Sequence, residues 1–367
     1  MSVFAIDELA SKRVAVLYQA VPPPVIGGAR KSPKPGGYSD SGADIAFNLR
    51  RAGFQVLTPN ERPNPAVALD WVFPDTDAGL RAARDAGADV LWANTVLFTR
   101  HPIERYLADT WIVGQSPLCQ EAVDDKFATN RRLLADGLPV VPSLLIAKQA
   151  LAGAVTLAQL SDSLLHDHGL VFPLVVKPVR GRGSQGVSRV SDCRELIKAA
   201  ASLLESNQYG DQLIVEAFLE GEEVTVTVLP GSVDDGESVF VPLALPPVRR
   251  FNHDNGIAPY NGKVAVTANS VVLTPEECAH GPIRDIMDAC VAVFARIGAL
   301  APIRVDCRAD ARGVFHVFDV NAKPNMTGRG RPGRDDQDNL CALAARAVGW
   351  SYTDLLVRML GHAWKQR

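Results

Sequence analysis

Two acidic residues and an amide near the end of the chain have the spacing of a metal site. Asp306 falls on one predicted strand, and Asp319 and Asn321 share a face of the next, since side chains alternate along a strand. If Arg312-Gly313 forms a two-residue hairpin loop, Asp306 lies directly opposite Asp319. Like charges so placed destabilise a sheet, and two close carboxylates cannot both stay ionised unaided. A divalent cation removes the conflict, and these oxygen ligands suit Mg²⁺.

The same hairpin predicts the directions of further side chains. Arg304 and Arg308 share the acidic face of the first strand by the same period of two. On the second strand, Phe318 and Val320 are expected to point away from the acids. A solvent-facing hairpin whose acids pair with the two arginines stays open as the alternative, because ion pairs at sheet surfaces are common.

A lysine at the end of an apolar run precedes a glycine-rich loop. Lys177 follows the apolar residues 174–176. The loop that comes next contains Gly183, Ser184, Gln185 and Gly186. Backbone N–H groups of such a loop can hold phosphate, with the lysine as a point charge. The segment is neither a P-loop nor a dinucleotide fingerprint, and a plain hairpin turn is an equally open interpretation.

A third polar stretch lies at residues 214–224, where an apolar strand ends in acids. Glu216 and Glu223 flank Gly221, which permits a tight connection to the next strand. Backbone and carboxylate groups at a strand end can bind an adenine edge and ribose hydroxyls. The alternative is a pair of ordinary solvated acids.

Alternating strands and helices in the first third of the chain are expected to position polar groups at a sheet edge. The pattern predicts strands at 14–18, 54–57 and 89–93 and helices at 44–52 and 80–86. This alternation favours a parallel α/β layer. The Pro/Gly-rich residues 21–42 form a long loop, which is either functional or a mobile surface segment.

The rest of the chain mixes helices with strands. Asp192 with Glu195, and Thr274 with Glu277, are spaced as capping boxes at helix starts. We expect helices at 125–135, from 192 to about 204 and from 274 to 298, and strands at 140–146, 172–177, 212–218 and 223–229.

Length and composition exclude several classes of protein. The chain has 367 residues, and 38 basic against 41 acidic residues give a net charge of −3, so no nucleic-acid partner is indicated. Its 47% hydrophobic and 22% charged content is typical of a globular protein with two or three domains. Six scattered cysteines without a CxxC pair indicate reduced thiols and a cytoplasmic location. We expect no signal peptide, no membrane-spanning segment and no membrane partner.

Taken in chain order, these segments resemble the ATP-grasp superfamily, and most closely its D-alanine–D-alanine ligase-like branch. The resemblance covers roughly residues 88–360, and residues 1–87 fit the branch only in α/β outline. AVDDKFATNRRLLADGLPVVPS is similar to the family's segment with the first nucleotide-binding lysine, and FPLVVKPVRGRGSQGVSRV is similar to its second lysine and phosphate loop. LIVEAFLEGEEVTVTVL resembles the adenine and ribose segment, and IRVDCRADARGVFHVFDVNAKPNMTG resembles the metal hairpin.

The resemblance implies a binding site for ATP. Lys126 and Lys177 would bind the nucleotide, and the loop at 183–186 would cover its phosphates. Glu216 would bond the adenine amino group, and Glu223 would hold the ribose. Further contacts through the backbone would come from Ala217 and Leu219.

The resemblance also implies the metal and the reaction. Mg²⁺, with Mn²⁺ as a substitute, would bind Asp306, Asp319 and Asn321. Arg304 would stabilise the tetrahedral intermediate, and Lys263 would contact a phosphate. A carboxylate would attack the γ-phosphate of ATP to give an acyl-phosphate, which an amine would convert to an amide or peptide. The partners would be small-molecule carboxylate and amine substrates that resemble amino acids.

The implied fold is an α/β (α+β) ATP-grasp fold of three domains. Residues 1–120 would form a parallel α/β pre-ATP-grasp domain. Residues 121–210 would form a central α+β subdomain with the Gly-rich loop, and residues 211–367 a C-terminal subdomain with the metal hairpin. The two subdomains would clamp ATP, and a homodimer is an open arrangement.

Several segments depart from the pattern of the family's D-alanine ligases. A Pro/Gly loop ending at residues 36–42 replaces an acid-bearing loop, and residues 94–98 replace a His-Gly segment. The arginines that follow the hairpin suit an acidic or extended substrate, although a solvated loop rim is the alternative. The candidate substrate contacts are Ser39, Ser41, Lys323, Asn325, Arg329 and Arg331.

Three functions follow from these patterns. The first is an ATP-dependent carboxylate–amine ligase acting on amino-acid-like substrates. The second is D-alanine–D-alanine ligase itself, which the departures disfavour. The third is a non-catalytic ATP-binding regulatory protein on the same scaffold, which Arg304 disfavours because a binder does not need it.

Overall fold

A computed structural model of the chain describes most of its residues. The described residues are 9, 11–30, 35–181, 183–231, 241–253, 255–257 and 266–366. Lys263, the expected phosphate contact, lies outside them.

The N-terminal part forms a parallel sheet, as the alternation of strands and helices predicted. Its elements are β1 (Arg13–Tyr18), β2 (Val25–Ile26), β3 (Ala29–Arg30), α1 (Ser39–Arg51), β4 (Gln55–Leu57), β5 (Phe73–Pro74), α2 (Asp77–Asp85), β6 (Val90–Asn94) and β7 (Trp111–Val113). The strand order is β4–β1–β6–β7, with β5 also beside β1, and β2 pairs with β3 separately. Successive β1 side chains enter two different cores, which explains the continuous apolar run of this strand.

Helix α1 begins at Ser39, five residues before the predicted start at Asp44. The sequence signal was weak because Gly42 interrupts the first turn. In the structure a Cβ at Gly42 would meet Val72 Cγ1 at 2.9 Å and Asn94 Nδ2 at 3.2 Å. Close packing against the sheet therefore accounts for the glycine at this position.

The middle of the chain forms an antiparallel sheet with helices. Its elements are α3 (Pro117–Asp124), α4 (Lys126–Ala135), β8 (Ser143–Ala147), α5 (Asp162–Asp167), β9 (Leu174–Pro178), β10 (Ser188–Val190), α6 (Cys193–Glu205) and β11 (Gln212–Ala217). The strand order is β10–β9–β11–β8. Asp192 caps α6 by accepting a hydrogen bond from the Glu195 N–H at 2.8 Å, as expected. The Glu195 carboxylate instead accepts from the Ser191 N–H, so the reciprocal half of that capping box is absent.

The C-terminal part contains the second antiparallel sheet. Its elements are β12 (Glu223–Leu229), β13 (Leu243–Ala244), β14 (Val248–Arg250), β15 (Ser270–Val272), α7 (Pro275–Ala279), α8 (Gly281–Ile297), β16 (Ile303–Ala309), β17 (Phe315–Asn321), α9 (Leu340–Ala347) and α10 (Tyr352–Gly361). The strand order is β15–β14–β12–β16–β17, with β13 also on β12. The predicted single helix from Thr274 to Gly298 was wrong. His280 is extended between α7 and α8, where Pro282 offers no N–H to the preceding turn.

The last helices return to the N-terminal sheet. Leu355, Leu356 and Leu360 of α10 share one core with Val14 and Val16 of β1. The Trp364 backbone exchanges hydrogen bonds with Ile112 of β7 at 2.7 and 2.9 Å. The three-domain division stays a prediction, and the end of the proposed C-terminal unit packs on the N-terminal one. Within the described ranges, no helix has the length and apolar content needed to span a bilayer.

Candidate active site

The hairpin of β16 and β17 places Asp306 directly opposite Asp319, and Arg304 opposite Asn321. This confirms the predicted opposition, but the assumed two-residue loop was wrong. The Asp310 N–H donates to the Val314 carbonyl at 2.8 Å, so residues 311–313 form the loop. A register shift then occurs after Asp306 and restores the opposition of the two acids.

The register shift makes Phe318 an extra residue of β17. Cys307 pairs with Val317 and Asp306 with Asp319, which leaves Phe318 between them as a β-bulge. Its carbonyl accepts a hydrogen bond from Lys177 Nζ at 3.1 Å, and the same ammonium lies 5.7 Å from its ring centroid. The expectation that Phe318 points away with Val320 was therefore wrong, because the bulge changes the alternation.

The two predicted lysines meet the acids of this cleft. Lys126, the first residue of α4, forms an ion pair with Asp319. Lys177 on β9 pairs with Glu216 Oε2 at 2.6 Å, and Asn130 Nδ2 donates to Glu216 Oε1 at 3.2 Å. One helix and three strands thus bring opposite charges to one place.

Mutual contact keeps the Lys126–Asp319 pair charged. Burial lowers the pKa of Lys126, but the Asp319 carboxylate outweighs it, and the net pKa is raised. Burial raises the pKa of Asp319, but Lys126 and then Lys177 outweigh it, and the net pKa is lowered. The pKa of Glu216 is raised by burial, although Lys177 opposes the shift. Asp319 is thus an ionised carboxylate at neutral pH, as a cation ligand must be.

Asp306 is held by hydrogen bonds on both carboxylate oxygens. Arg304 contacts it through Nε and Nη2, each at 3.2 Å, and Thr225 Oγ1 donates at 2.8 Å. The opposed carboxylates with the amide of Asn321 are an oxygen donor set that fits Mg²⁺. Within the described part of the chain, no cluster of three His, Cys, Asp or Glu suits a metal, so this set depends on the Asn321 amide.

The Gly-rich loop between β9 and β10 is anchored at its start. Arg180 pairs with Asp124 at 3.4 Å and with Asp125 at 3.2 Å, at the junction of α3 and α4. Gly183, Ser184 and Gly186 have φ of 63°, 57° and 70°. Gln185 lies between the last two. Tight turns of this kind can leave backbone N–H groups available to an anion.

The strand ends expected at the adenine and ribose are also close together. Glu223 pairs with His253 Nε2 at 2.9 Å and lies 3.8 Å from Arg308 Nη1. Phe218, the residue between Ala217 and Leu219, has its ring centroid 4.8 Å from the guanidinium carbon of Arg308. Sequence reasoning missed His253, which no local pattern marks, and placed Arg308 only on the acidic face.

The candidate substrate residues fall into two groups. Ser39 and Ser41 are buried at the start of α1, where Ser41 Oγ accepts from Asn94 Nδ2 at 3.0 Å. Lys323 Nζ donates to Asn94 Oδ1 at 2.7 Å, which joins the hairpin end to β6. The Asn325 amide oxygen accepts from Thr327 Oγ1 at 3.0 Å, a local contact.

Two of the arginines after the hairpin, Arg331 and Arg334, lie against Asp44 and not on a solvated rim. Arg331 is 2% exposed, and its Nε donates to Asp44 Oδ1 at 2.7 Å. Arg334 Nε contacts the same oxygen at 2.8 Å. Arg329 is half exposed, 3.7 Å from Asp338. The expectation that Arg331 contacts the substrate has no support from this geometry, because its guanidinium donates hydrogen bonds to Asp44 and to two backbone carbonyls.

A small recess of about 30 Å³ lies near the start of the Gly-rich loop. Its walls include Ile26, residues 96–98 after β6, and Arg180 at the start of the Gly-rich loop. Space therefore exists between the carboxyl end of the parallel sheet and the loop expected at the phosphates.

Comparison with known proteins gives consistent likenesses. Residues 133–361 match the family model described as D-ala D-ala ligase C-terminus. A D-alanine–D-alanine ligase of Syntrophotalea carbinolica is 31% identical over 257 residues, 70% of this chain and 72% of the relative. One from Marinomonas is 26% identical over 251 residues, 68% of each chain.

Solved structures show the same fold. The D-alanine–D-alanine ligase from Bacillus anthracis complexed with ATP has a TM-score of 0.64 and 20% identity, covering 95% of both chains. The VanG D-Ala:D-Ser ligase from Enterococcus faecalis has a TM-score of 0.64 and 16% identity, covering 95% of this chain and 98% of that one.

Proposed function

This chain belongs to the D-alanine–D-alanine ligase family of ATP-grasp proteins, and on that premise we propose how its cleft joins a carboxylic acid to an amine. The protein is an ATP-dependent carbon–nitrogen ligase that uses ATP and Mg²⁺. The observation that carries the proposal is the opposition of Asp306 and Asp319, with Arg304, Lys126 and Lys177 around them.

In the proposed reaction, an oxygen of the acid substrate attacks the γ-phosphate of ATP, and ADP leaves. The amine then attacks the carbonyl carbon of the acyl-phosphate, inorganic phosphate leaves with the C–O bond pair, and the amine loses a proton. Bound Mg²⁺ would neutralise charge on the transferring phosphate, held by Asp306, Asp319 and Asn321.

The protein's own groups would have distinct tasks in this sequence. Lys126 and Lys177 would hold the phosphates and offset their charge. Arg304 would face the oxyanion that develops when the amine attacks. The loop at 183–186 would cover the phosphates and exclude water, which otherwise hydrolyses an acyl-phosphate.

At the nucleoside end we propose that Glu216 and the backbone of Ala217 and Leu219 bind adenine, and that Glu223 binds the ribose. Glu216 is buried between Lys177 and Asn130, which fixes its carboxylate at the strand end. Glu223 is fixed in the same way by His253. Fixed acceptors bind a nucleoside with little loss of side-chain entropy.

Phosphate release tests the proposed function. Purified protein with Mg·ATP and a panel of acid–amine pairs should release phosphate only when both an acid and an amine are present. Mass spectrometry should show a product that has lost one water relative to the pair. Release that needs neither acid nor amine, or tight ATP binding without any product, would contradict the ligase and favour a regulatory ATP-binding protein.

D-alanine is the second candidate for both substrates, because the relatives of this chain carry that name. The panel therefore includes D-alanine alone, where a dipeptide product would identify this activity.

We also propose a cytoplasmic location, since all six cysteines are thiols. Small-molecule acids and amines are the partners, and size-exclusion chromatography tests the homodimer.

A further inference from the structure

The acid substrate's position can be argued from the topology of the parallel sheet. From β1 the chain passes to β4 on one side and later crosses to β6 on the other, so β1 and β6 flank a topological switch point. Open parallel sheets bind ligands outside the carboxyl ends of the strands at such a point. The side chains at this edge therefore face a ligand site rather than a random stretch of surface.

Lys323 reaches this edge from the end of the metal hairpin. Its N–H donates to Asn321 Oδ1 at 3.1 Å, and its ammonium donates to Asn94 Oδ1 at 2.7 Å at the end of β6. The ammonium also lies 3.8 Å from the centroid of the Tyr38 ring. Tyr38 has φ of 66°, a strained conformation for a bulky residue, and its carbonyl accepts from Asn94 Nδ2 at 2.9 Å.

Carboxylates near this edge are already used by the protein. Asp75 is fully buried and accepts hydrogen bonds from two backbone N–H groups at 2.7 Å and from Thr95 at 2.5 Å, beside His101 at 3.1 Å. Asp44 is occupied by Arg331 and a second arginine. These acids are thus unsuited to receive the ammonium group of a substrate.

We propose that Lys323 binds a second carboxylate on the acid substrate, so that the acid half of the reaction is a dicarboxylate. The inference rests on the proposed ligase function. A lysine ammonium has three donors and no acceptor, so it attracts an anion and repels a substrate ammonium. Its backbone N–H bonds the Asn321 amide oxygen proposed as an Mg²⁺ ligand, and its ammonium bonds Asn94, so the residue runs from the proposed metal site to the end of β6.

Matched acids that differ in one end group test the inference by binding. Glutarate, its monoamide glutaramate and 5-aminopentanoate have similar length and carry a carboxylate, an amide or an ammonium. Their dissociation constants would be measured by calorimetry with a non-hydrolysable ATP analogue and Mg²⁺. Wild type should bind glutarate about 10- to 100-fold more tightly than glutaramate, as for a charge-assisted hydrogen bond, and 5-aminopentanoate most weakly.

Variants of Lys323 assign the preference to its charge. Lys323→Gln keeps a donor for Asn94 but should abolish the preference for glutarate, while affinity for the ATP analogue stays unchanged. Lys323→Arg should keep the preference, and thermal unfolding of each variant would verify folding. Lys198→Gln on the exposed face of α6 is the matched control and should behave as wild type.

Each outcome bears on one proposal. Equal binding of glutarate and glutaramate by wild type, or an unchanged preference in Lys323→Gln, overturns the dicarboxylate inference. An undetectable affinity for all three acids also overturns it. Failure of every acid–amine pair to release phosphate instead overturns the ligase function and leaves the binding result to be judged by itself.

Discussion

Single residues of the cleft acquire their chemistry from partners far away in the chain. Lys126 and Asp319 are 193 positions apart, and their contact raises the pKa of one and lowers that of the other. Lys177 and Glu216 form a second ion pair, with Nζ and Oε2 2.6 Å apart. With two bases placed against two acids, the cleft can take up a metal ion and a polyphosphate without leaving either charge uncompensated.

Asp319→Asn tests the metal role at this scale. The change keeps the shape of the side chain but removes its charge, so kcat/KM should fall by about 100-fold or more as the divalent cation is lost from the phosphates. Steady-state phosphate release at several Mg²⁺ concentrations measures kcat/KM of the variant and of wild type. Asp288→Asn, on the exposed side of α8, should leave kcat/KM unchanged. Full activity of Asp319→Asn would contradict the assignment of Asp319 as a metal ligand.

At the scale of elements, local sequence rules located most helices and strands. The Thr274 capping box and the Asp192 cap of α6 were readable because a cap needs only neighbours three residues away. The bulge at Phe318 was not readable, since β16 and β17 must pair before an extra residue exists.

The Gly-rich loop gives a prediction with a matched control. Gly186 has φ of 70°, and an added Cβ would lie 3.0 Å from Pro178 and 3.1 Å from Tyr209. Gly186→Ala should therefore lower the free energy of unfolding by about 1–2 kcal/mol and weaken binding of an ATP analogue about 10-fold. In Gly181→Ala the nearest atom is 3.6 Å away, so both quantities should stay near wild type. Calorimetry and urea unfolding measure them.

The turn of the metal hairpin gives a pH-dependent prediction. Burial raises the pKa of Asp310, but hydrogen bonds from Arg312 and from backbone N–H groups outweigh it and lower this pKa to about 2. Because the folded pKa lies below the ordinary value, the ionised group stabilises the fold above pH 5, and this contribution is lost as the pH falls through about 2. Asp310→Asn should lower the free energy of unfolding by about 1 kcal/mol at pH 7. The loss is small because Arg312 is exposed and its ion pair with Asp310 is screened by solvent.

Urea unfolding between pH 3 and pH 7 measures the difference in the free energy of unfolding between Asp310→Asn and wild type. The difference should begin to shrink below pH 4. A difference that stayed constant down to pH 3 would show that the carboxylate charge is not what holds the turn.

At the scale of the whole molecule, helix α1 holds the loop that follows the metal hairpin. Asp44 accepts from Arg331 and from the Gly328 N–H, and Asn48 Nδ2 donates to the Arg329 carbonyl at 2.9 Å. These contacts join residues more than 280 positions apart. They connect the helix that packs on the parallel sheet with the loop that follows the hairpin.

Arg331→Met tests this connection. Removing one partner of a buried ion pair leaves Asp44 under-compensated, so the free energy of unfolding should drop by about 3 kcal/mol. Arg329→Met, at a half-exposed arginine in the same loop, should change it by less than about 0.5 kcal/mol. Urea unfolding compares the two. Equal effects would contradict a structural role for the Arg331–Asp44 pair.

The opposition of Asp306 and Asp319 was predicted from a two-residue loop that the structure does not have, and the bulge at Phe318 restores it. Local sequence patterns were enough to predict the parallel sheet and the caps. Each depends on spacing within one or two neighbouring elements, where periods of 2 and 3.6 fix which side chains share a face. The resemblance then supplied an ATP-binding role for Lys126 and Lys177, which spacing alone left open.

Tertiary structure decided how those residues are used. It turned Phe318 toward Lys177, buried Arg331 against Asp44, and carried Lys323 to Asn94 at the switch point of the sheet. Each contact joins segments more than 100 positions apart. Which distant charge compensates a buried one depends on the packing of whole elements, and no local pattern in the sequence records that.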